Sequence, residues 1–194
     1  MKALQILRYG GRDGMQLNEN ASKPAAGKGQ VLIEVHAASI NPIDWKIRAG
    51  YMKEDLTLTM PATFGGDVSG AVMAVAESVP DLKVGSRVFG YASPVAEGSG
   101  SFAEFVAANV STLAPAPQKA TMLEAAALPL VGASAVQAIE THIKLQRGQT
   151  ILIHGGAGGI GSVAIQLAKS LGAYVATTAA ATTSRTSRSC ARMR

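Results

Sequence analysis

At 194 residues the chain has room for one domain and part of a second, and a hydrophobic fraction of 47% points to a core-forming globular protein. The formal charge of +5 belongs to the C-terminal end: residues 185–194 hold Arg185, Arg188, Arg192 and Arg194 and no acid, and the remainder carries 14 basic against 13 acidic residues, a net +1. A near-neutral body with 5% aromatics argues against a nucleic-acid surface, the lone Cys190 against a disulfide or a cysteine-built metal site, and the lack of any apolar run near about 18 residues against a membrane span.

From the N-terminus, residues 1–115 read as mostly β. Met1-Lys2-Ala3-Leu4-Gln5-Ile6-Leu7 reads as a first strand rather than a signal peptide. Residues 31–37 alternate on one face, and residues 67–75 form a second run, with Gly70 marking a bulge or a close approach. Residues 84–90 and 102–106 add shorter strands. Lys23-Pro24, Asn41-Pro42, Val79-Pro80-Asp81 and Glu97-Gly98-Ser99-Gly100 supply the turns of a barrel-like β domain. Thr121-Met122-Leu123-Glu124 is a capping box for a short helix over 122–128. A second helix runs from Leu130 to about Lys144, with Val131, Ala135, Ala138 and Ile139 on one face. The apolar run 150–154 reads as a fully buried parallel strand. Residues 160–171 form a helix with Ile160, Ala164, Leu167, Ala168 and Leu171 as its stripe and Gly172 as its C-terminal cap, and 174–178 form the next strand. Residues 179–194, rich in Ala, Thr, Ser and Arg, read as a disordered, atypical tail.

Gly156-Ala157-Gly158-Gly159-Ile160-Gly161 matches G-x-G-x-x-G, immediately after a strand and opening a helix. A pyrophosphate needs backbone N–H donors, a positive potential and close approach, which a glycine-lined helix N-terminus supplies. Gly156 allows the turn, Gly158 the approach, and Gly161 the packing of helix on strand. The alternative is a ligand-free glycine-rich turn. No Asp or Glu follows Glu140, so the acid that would hold an NAD ribose is missing, which favours NADP, with Thr177, Thr178, Ser184 and Arg185 as contacts. An abnormal tail in place of the usual residues would leave the same pattern. Asn41-Pro42-Ile43-Asp44 is either an Asx turn or a segment beneath a nicotinamide. Tyr51 is either a proton donor or a surface tyrosine, and His154 suits packing and hydrogen bonding better than base catalysis. His36, His142 and His154 show no ligand spacing, and no metal is expected.

Taken together, Val35-His36-Ala37-Ala38-Ser39-Ile40-Asn41-Pro42-Ile43-Asp44-Trp45-Lys46, Phe64-Gly65-Gly66-Asp67-Val68-Ser69-Gly70, Ala126-Ala127-Leu128-Pro129-Leu130-Val131-Gly132-Ala133-Ser134-Ala135 and the glycine turn resemble the medium-chain dehydrogenase/reductase superfamily, in its zinc-independent quinone oxidoreductase-like branch. The resemblance spans residues 1–178. It implies an α/β chain: a GroES-like β-barrel substrate domain over 1–120, then connecting helices and the first β-α-β unit of an incomplete Rossmann domain over 121–178. In the zinc alcohol dehydrogenases a Cys lies near the start of the Asn41–Asp44 region and a Gly-His-Glu stands where Gly65-Gly66-Asp67 does, so both ligand positions are replaced here.

The resemblance implies NADPH delivering hydride to a quinone or an activated C=C bond, with Asn41 near the nicotinamide, Ser134 in the cofactor cleft, Asp44 as an orienting group and no single obligatory base. Asn41, Asp44 and Tyr51 are the catalytic candidates. Asn41, Ser134, Gly156, Ala157, Gly158, Gly159, Ile160, Gly161, Thr177 and Thr178 are the cofactor candidates. A small-molecule quinone or enone substrate, a cytoplasmic location, a homodimer, and neither nucleic acid nor membrane as partner complete the expectation. The 45 residues from Thr150 fall short of the about six strands of a Rossmann fold, which reads as a truncated or frameshifted product of doubtful turnover. The alternatives are a non-catalytic GroES-like remnant and a cofactor-binding fragment.

Overall fold

The computed structural model describes residues 1–79, 81–183 and 186, which divide into two units, Met1–Leu130 and Val131–Arg194. Pro80, Ser184, Arg185, Arg188, Cys190, Arg192 and Arg194 lie outside the described residues, and with them most of the expected tail.

In the first unit, the period-two patterns become strands β1 (Ala3–Ile6), β2 (Met15–Asn18), β3 (Gln30–Ala38), β4 (Ala62–Thr63), β5 (Asp67–Val75), β6 (Arg87–Tyr91), β7 (Phe105–Asn109) and β8 (Leu113–Pro115). Five of them form an antiparallel sheet in the order β7-β3-β5-β6-β8, and three form a second in the order β2-β1-β4. Alternation sends Val31, Ile33, Val68, Val72, Val88 and Val106 into one dry core, where each buried side chain contributes about 1.5–3 kcal/mol. Ile6, Ile47 and Phe64 centre a second core. The ladder shifts register between Val35 and Ala37, opposite Gly70 and Ser69, so the irregularity expected around Gly70 is observed.

Several boundaries differ from the sequence reading. The strand expected from Val84 starts at Arg87, because Gly85 turns the chain at φ +87°. The strand expected at 102–106 is Phe105–Asn109. Phe102 serves the other sheet, accepting from the Leu4 N–H (2.8 Å). Helix α1 (Pro42–Ala49), absent from the sequence reading, begins with Pro42 in its first turn and ends at Gly50 in the left-handed region. Helix α2 (Met122–Ala126) has the expected capping box, with Thr121 Oγ1 accepting from the Glu124 N–H and Glu124 Oε2 from the Thr121 N–H. The Ser69 hydroxyl donates to Met122 O (2.5 Å), so this helix packs with β5, and the first unit extends past residue 120 to Leu130.

Helix α3 (Pro129–Val136) leads into the second unit and widens into a π-helical stretch, Gln137–Ile143, before Lys144 turns left-handed. The single helix expected over 130–144 is thus two windings. Strand β9 (Thr150–Ile153), helix α4 (Gly159–Ser170) and parallel strand β10 (Tyr174–Thr177) follow in register from Thr150↔Tyr174 to Ile153↔Thr177. Ala135, Ile139, Leu145, Ala164 and Ala168 form this unit's core, with Ile151 and Val175 packed against it. The expectation of a fully buried β9 is corrected: its Ile151 and Ile153 face is covered, while Leu152 on the opposite face is 56% exposed. The expected stripe of α4 faces the core at Ala164, Leu167, Ala168 and Leu171, while Ile160 is exposed and Ile165 is fully buried in addition. In the tail, Ala181–Thr183 form a 3-10 turn rather than structureless chain.

Candidate functional site

In the first unit, an acid begins the apolar strand β5. Asp67 is wholly buried, and burial pushes its carboxyl up. Its Oδ2 accepts from Ser39 Oγ (2.6 Å) and from Asn41 Nδ2 (2.7 Å), and its Oδ1 accepts from the Leu130 N–H (2.9 Å) in the first turn of α3. Asn41 Nδ2 also donates to Ser39 Oγ at 3.2 Å. Asn41 is the N-cap of α1, and Asp44 Oδ2 reaches back to accept from its backbone N–H (2.6 Å). In place of an isolated Asx turn, the Asn41–Asp44 segment forms a helix cap tied to a buried carboxylate. Nearby, Tyr91 is raised by burial, against a hydrogen bond with Ser93, and its ring sits where a Cβ on Gly66 would fall, 2.1 Å from Cε2.

Asp44 is 2% exposed, and its Oδ1 is buried without a hydrogen-bond partner among the described residues. Burial, followed by the charge of Asp67, moves its carboxyl up to about 6, partly offset by the Asn41 N–H. The folded chain therefore holds this proton more tightly than the unfolded chain does. The stabilisation is complete below about pH 4 and is lost as pH rises through about 6. It amounts to at most about 3 kcal/mol, less any solvent screening. Asp44→Asn keeps an acceptor for the Asn41 N–H and removes the ionisation. We expect thermal melts of the variant to lose much of the decline between about pH 4.5 and 7.5 shown by the parent, and to end higher at pH 7.5. An equally steep decline in the variant would sink this account.

Tyr51 lies outside this network. It is 74% exposed and meets Trp45 edge-on at 5.6 Å. Asp67 and Ser39, which complete the network, do not stand out as site residues in the sequence. The signal that points to Asp67 is an acid at the head of an otherwise apolar strand.

In the second unit, the turn 154–158 leads into α4 with Gly158 as N-cap, and the Ser162 N–H to Gly158 O bond (2.9 Å) is its first helical one. The amides of Gly159, Ile160 and Gly161 precede that bond and face the position where a helix N-terminus attracts an anion. The left-handed residue is Gly155 (φ +69°), not Gly156. Gly156 is instead required by contact, since a Cβ there would lie 2.0 Å from Thr177 Oγ1. A Cβ on Gly161 would lie 2.4 Å from Gly155 O, so helix and turn do pack as closely as expected. A Cβ on Gly158 would meet only Gly155 O, at 3.2 Å, leaving its outer side open. Thr177 Oγ1 donates to Ile153 O (2.8 Å), while Thr178 Oγ1 accepts from the Gly155 N–H (3.3 Å) and pairs with His154 Nδ1 (3.1 Å). Both threonines therefore brace the turn, and His154 is a hydrogen-bonding residue on its rim. Ser134 lies on α3. Among the described residues no group of three His, Cys, Asp or Glu side chains is arranged to hold a metal, and no helix is long and apolar enough to cross a membrane.

Residues 27–118 match the alcohol dehydrogenase GroES-like domain. Over 179 residues the chain is 34% identical to a quinone oxidoreductase of Mus musculus, covering 92% of this chain and 52% of the relative. It is 40% identical over 188 residues to a chloroplastic NADPH-dependent alkenal/one oxidoreductase of Arabidopsis thaliana, covering 95% and 48%. The solved structure of the quinone oxidoreductase from Coxiella burnetii superposes with a TM-score of 0.86 at 36% identity, covering 98% of this chain and 60% of that one. The chain thus spans about half the length of the curated relatives it matches.

Proposed function

The chain belongs to the medium-chain dehydrogenase/reductase superfamily, as a quinone oxidoreductase-like member with a GroES-like domain, and from that we propose that it serves a zinc-independent, NADP-dependent reduction of a quinone or an activated C=C bond. The single observation that carries this reading is the glycine turn at the head of α4. Its amides, its open side at Gly158 and its braced underside fit a dinucleotide pyrophosphate.

Bound NADPH supplies the hydride that reaches the electron-poor carbon. The protein's part is to bind and orient. Gly156, Ala157, Gly158, Gly159, Ile160 and Gly161 hold the pyrophosphate, with Thr177 and Thr178 keeping the turn in shape. Ser134 is assigned to the cofactor cleft. Asn41 is assigned to the nicotinamide end by the family resemblance, with Asp44 holding it through the α1 cap. The proton comes from solvent or from a side chain, with Tyr51 as the exposed candidate. Zinc independence rests on the donor set: Asp44 and Asp67 are engaged with Asn41, Ser39 and Leu130, and among the described residues no histidine or cysteine joins them in a metal-binding group. The missing acid after Glu140 favours a 2′-phosphate.

Nicotinamide fluorescence during NADPH and NADH titrations tests the reading, followed by quinone-dependent NADPH oxidation. We expect saturable NADPH binding, tighter than NADH by at least about fivefold, which is about 1 kcal/mol. No binding at millimolar NADPH would overturn it. Binding without turnover on any quinone or enone would favour a cofactor-binding fragment, a reading supported by the uncovered Leu152 and Tyr174 face of the β9–β10 sheet.

A further inference from the structure

Asp67 is a wholly buried carboxylate that the proposed chemistry does not use, and each of its oxygens has a defined donor. An ionised carboxylate only accepts, so whatever faces it must turn a donor toward it. Asn41 has two chemically different ends, an NH2 and a carbonyl. Its NH2 is the end that faces inward, reaching Asp67 Oδ2 at 2.7 Å and Ser39 Oγ at 3.2 Å. Ser39 Oγ and Asp67 Oδ2 lie 2.6 Å apart on one side of Nδ2, so the NH2 end is committed to this buried corner and the carbonyl is the end left over. The same carboxylate accepts from the Leu130 N–H through Oδ1, which stops it from rotating. Ser39 donates to Oδ2 and so leaves its lone pairs for Asn41.

We propose that Asp67 is a positioning residue that fixes which end of the Asn41 carboxamide is presented to the reacting site. This rests on the reading that Asn41 serves the nicotinamide end. Charge-assisted hydrogen bonds of this kind outweigh neutral ones, so one acidic side chain suffices to choose between two orientations that would otherwise be nearly equal in shape.

The test is a polarity swap. In Asp67→Asn, the new Oδ1 keeps the Leu130 N–H and the new NH2 confronts the NH2 of Asn41, donor against donor. In the double variant Asn41→Asp with Asp67→Asn, the pairing is restored with its direction reversed, and Asp remains a good N-cap for α1. In the parent, the buried and hydrogen-bonded Asn41 side-chain NH2 should give slowly exchanging proton and nitrogen resonances. We expect Asp67→Asn to speed that exchange at least about tenfold and to lower the melting temperature. The double variant should recover most of the melting temperature. It should not recover NADPH affinity or quinone reduction, because the carboxamide itself is gone. An unchanged Asn41 resonance in Asp67→Asn would overturn the proposal, as would full recovery of cofactor binding and turnover in the double variant. If the parent itself binds no NADPH, the functional reading fails, while the Asn41 resonance still decides whether Asp67 orients it.

Discussion

Alanine at Gly156 should abolish measurable NADPH binding, whereas alanine at Gly158 should weaken it and leave the fold intact. The difference comes from what each Cβ meets. At Gly156 it would sit 2.0 Å from Thr177 Oγ1, 2.7 Å from Ile165 Cδ1 and 3.1 Å from Thr177 Cβ. Thr177 cannot swing aside without giving up its bond to Ile153 O, and Ile165 is fully buried under the helix. The turn must lift away from β10, taking the N-terminus of α4 with it. Overpacking of this kind costs about 1–3 kcal/mol, and here it falls on one β-α-β unit. At Gly158 the backbone has φ −79°, which alanine adopts freely, and only Gly155 O lies near. A Cβ there therefore reports on the ligand's approach and on little else. Hydrogen exchange followed by mass spectrometry should show lost protection over 150–177 for Gly156→Ala and parent-like protection for Gly158→Ala. Fluorescence titration should show at least about tenfold weaker NADPH binding for Gly158→Ala. Parent-like NADPH affinity in both variants would mean that the turn is not the pyrophosphate site.

The parts of the molecule legible in sequence are those where local chemistry and tertiary context agree. Strand β5 is readable because Val68 and Val72 recur on one face with Gly70 between them, and α2 because Thr121 and Glu124 signal their own cap. Helix α1 is hidden because Asn41-Pro42 reads as a turn signal. Both residues are equally at home as N-cap and first helical position, and only the buried partner Asp67 decides the matter. Strand β9 misleads in the other direction. Its apolar run suits burial on both faces, but helix α4 covers one. The glycine turn is legible as a motif, yet the division of labour inside it is not: the left-handed position is Gly155, which the G-x-G-x-x-G pattern omits, and Gly156 is glycine because of a threonine 21 positions later. Asp67 shows the same limit within the first unit. Its donors come from residues 39, 41 and 130, a set that only the folded sheet assembles.

Alanine at Gly70 should destabilise the first unit by about 3 kcal/mol or more. Gly70 is buried in the middle of the five-stranded sheet, paired with Val35 on β3 and Val88 on β6. A Cβ there would lie 2.0 Å from Glu34 O and 2.6 Å from Ile33 Cγ2. The first contact is with backbone inside a ladder, so no rotamer change relieves it. The strands must separate or the bulge between Val35 and Ala37 must move. Gly85→Ala is the contrast. A Cβ on Gly85 would meet nothing within 4 Å, so the only penalty is a φ of +87° in a turn, and the substitution should cost about 1–2 kcal/mol through backbone strain. Trp45, the one tryptophan of the chain, sits on α1 and reports unfolding of this unit by fluorescence in urea. A midpoint for Gly70→Ala at or above that of Gly85→Ala would refute the packing argument. The same experiment bears on the site. Asp67 and Ser69 stand at the head of β5, three and one positions before Gly70, so any shift of β5 against β3 that admits the methyl group also displaces Asp67 from Ser39 and Asn41. Where Gly70→Ala still folds, the Asn41 amide protons should therefore exchange faster, because the orientation of that carboxamide depends on the register of two strands and not only on the residues that touch it.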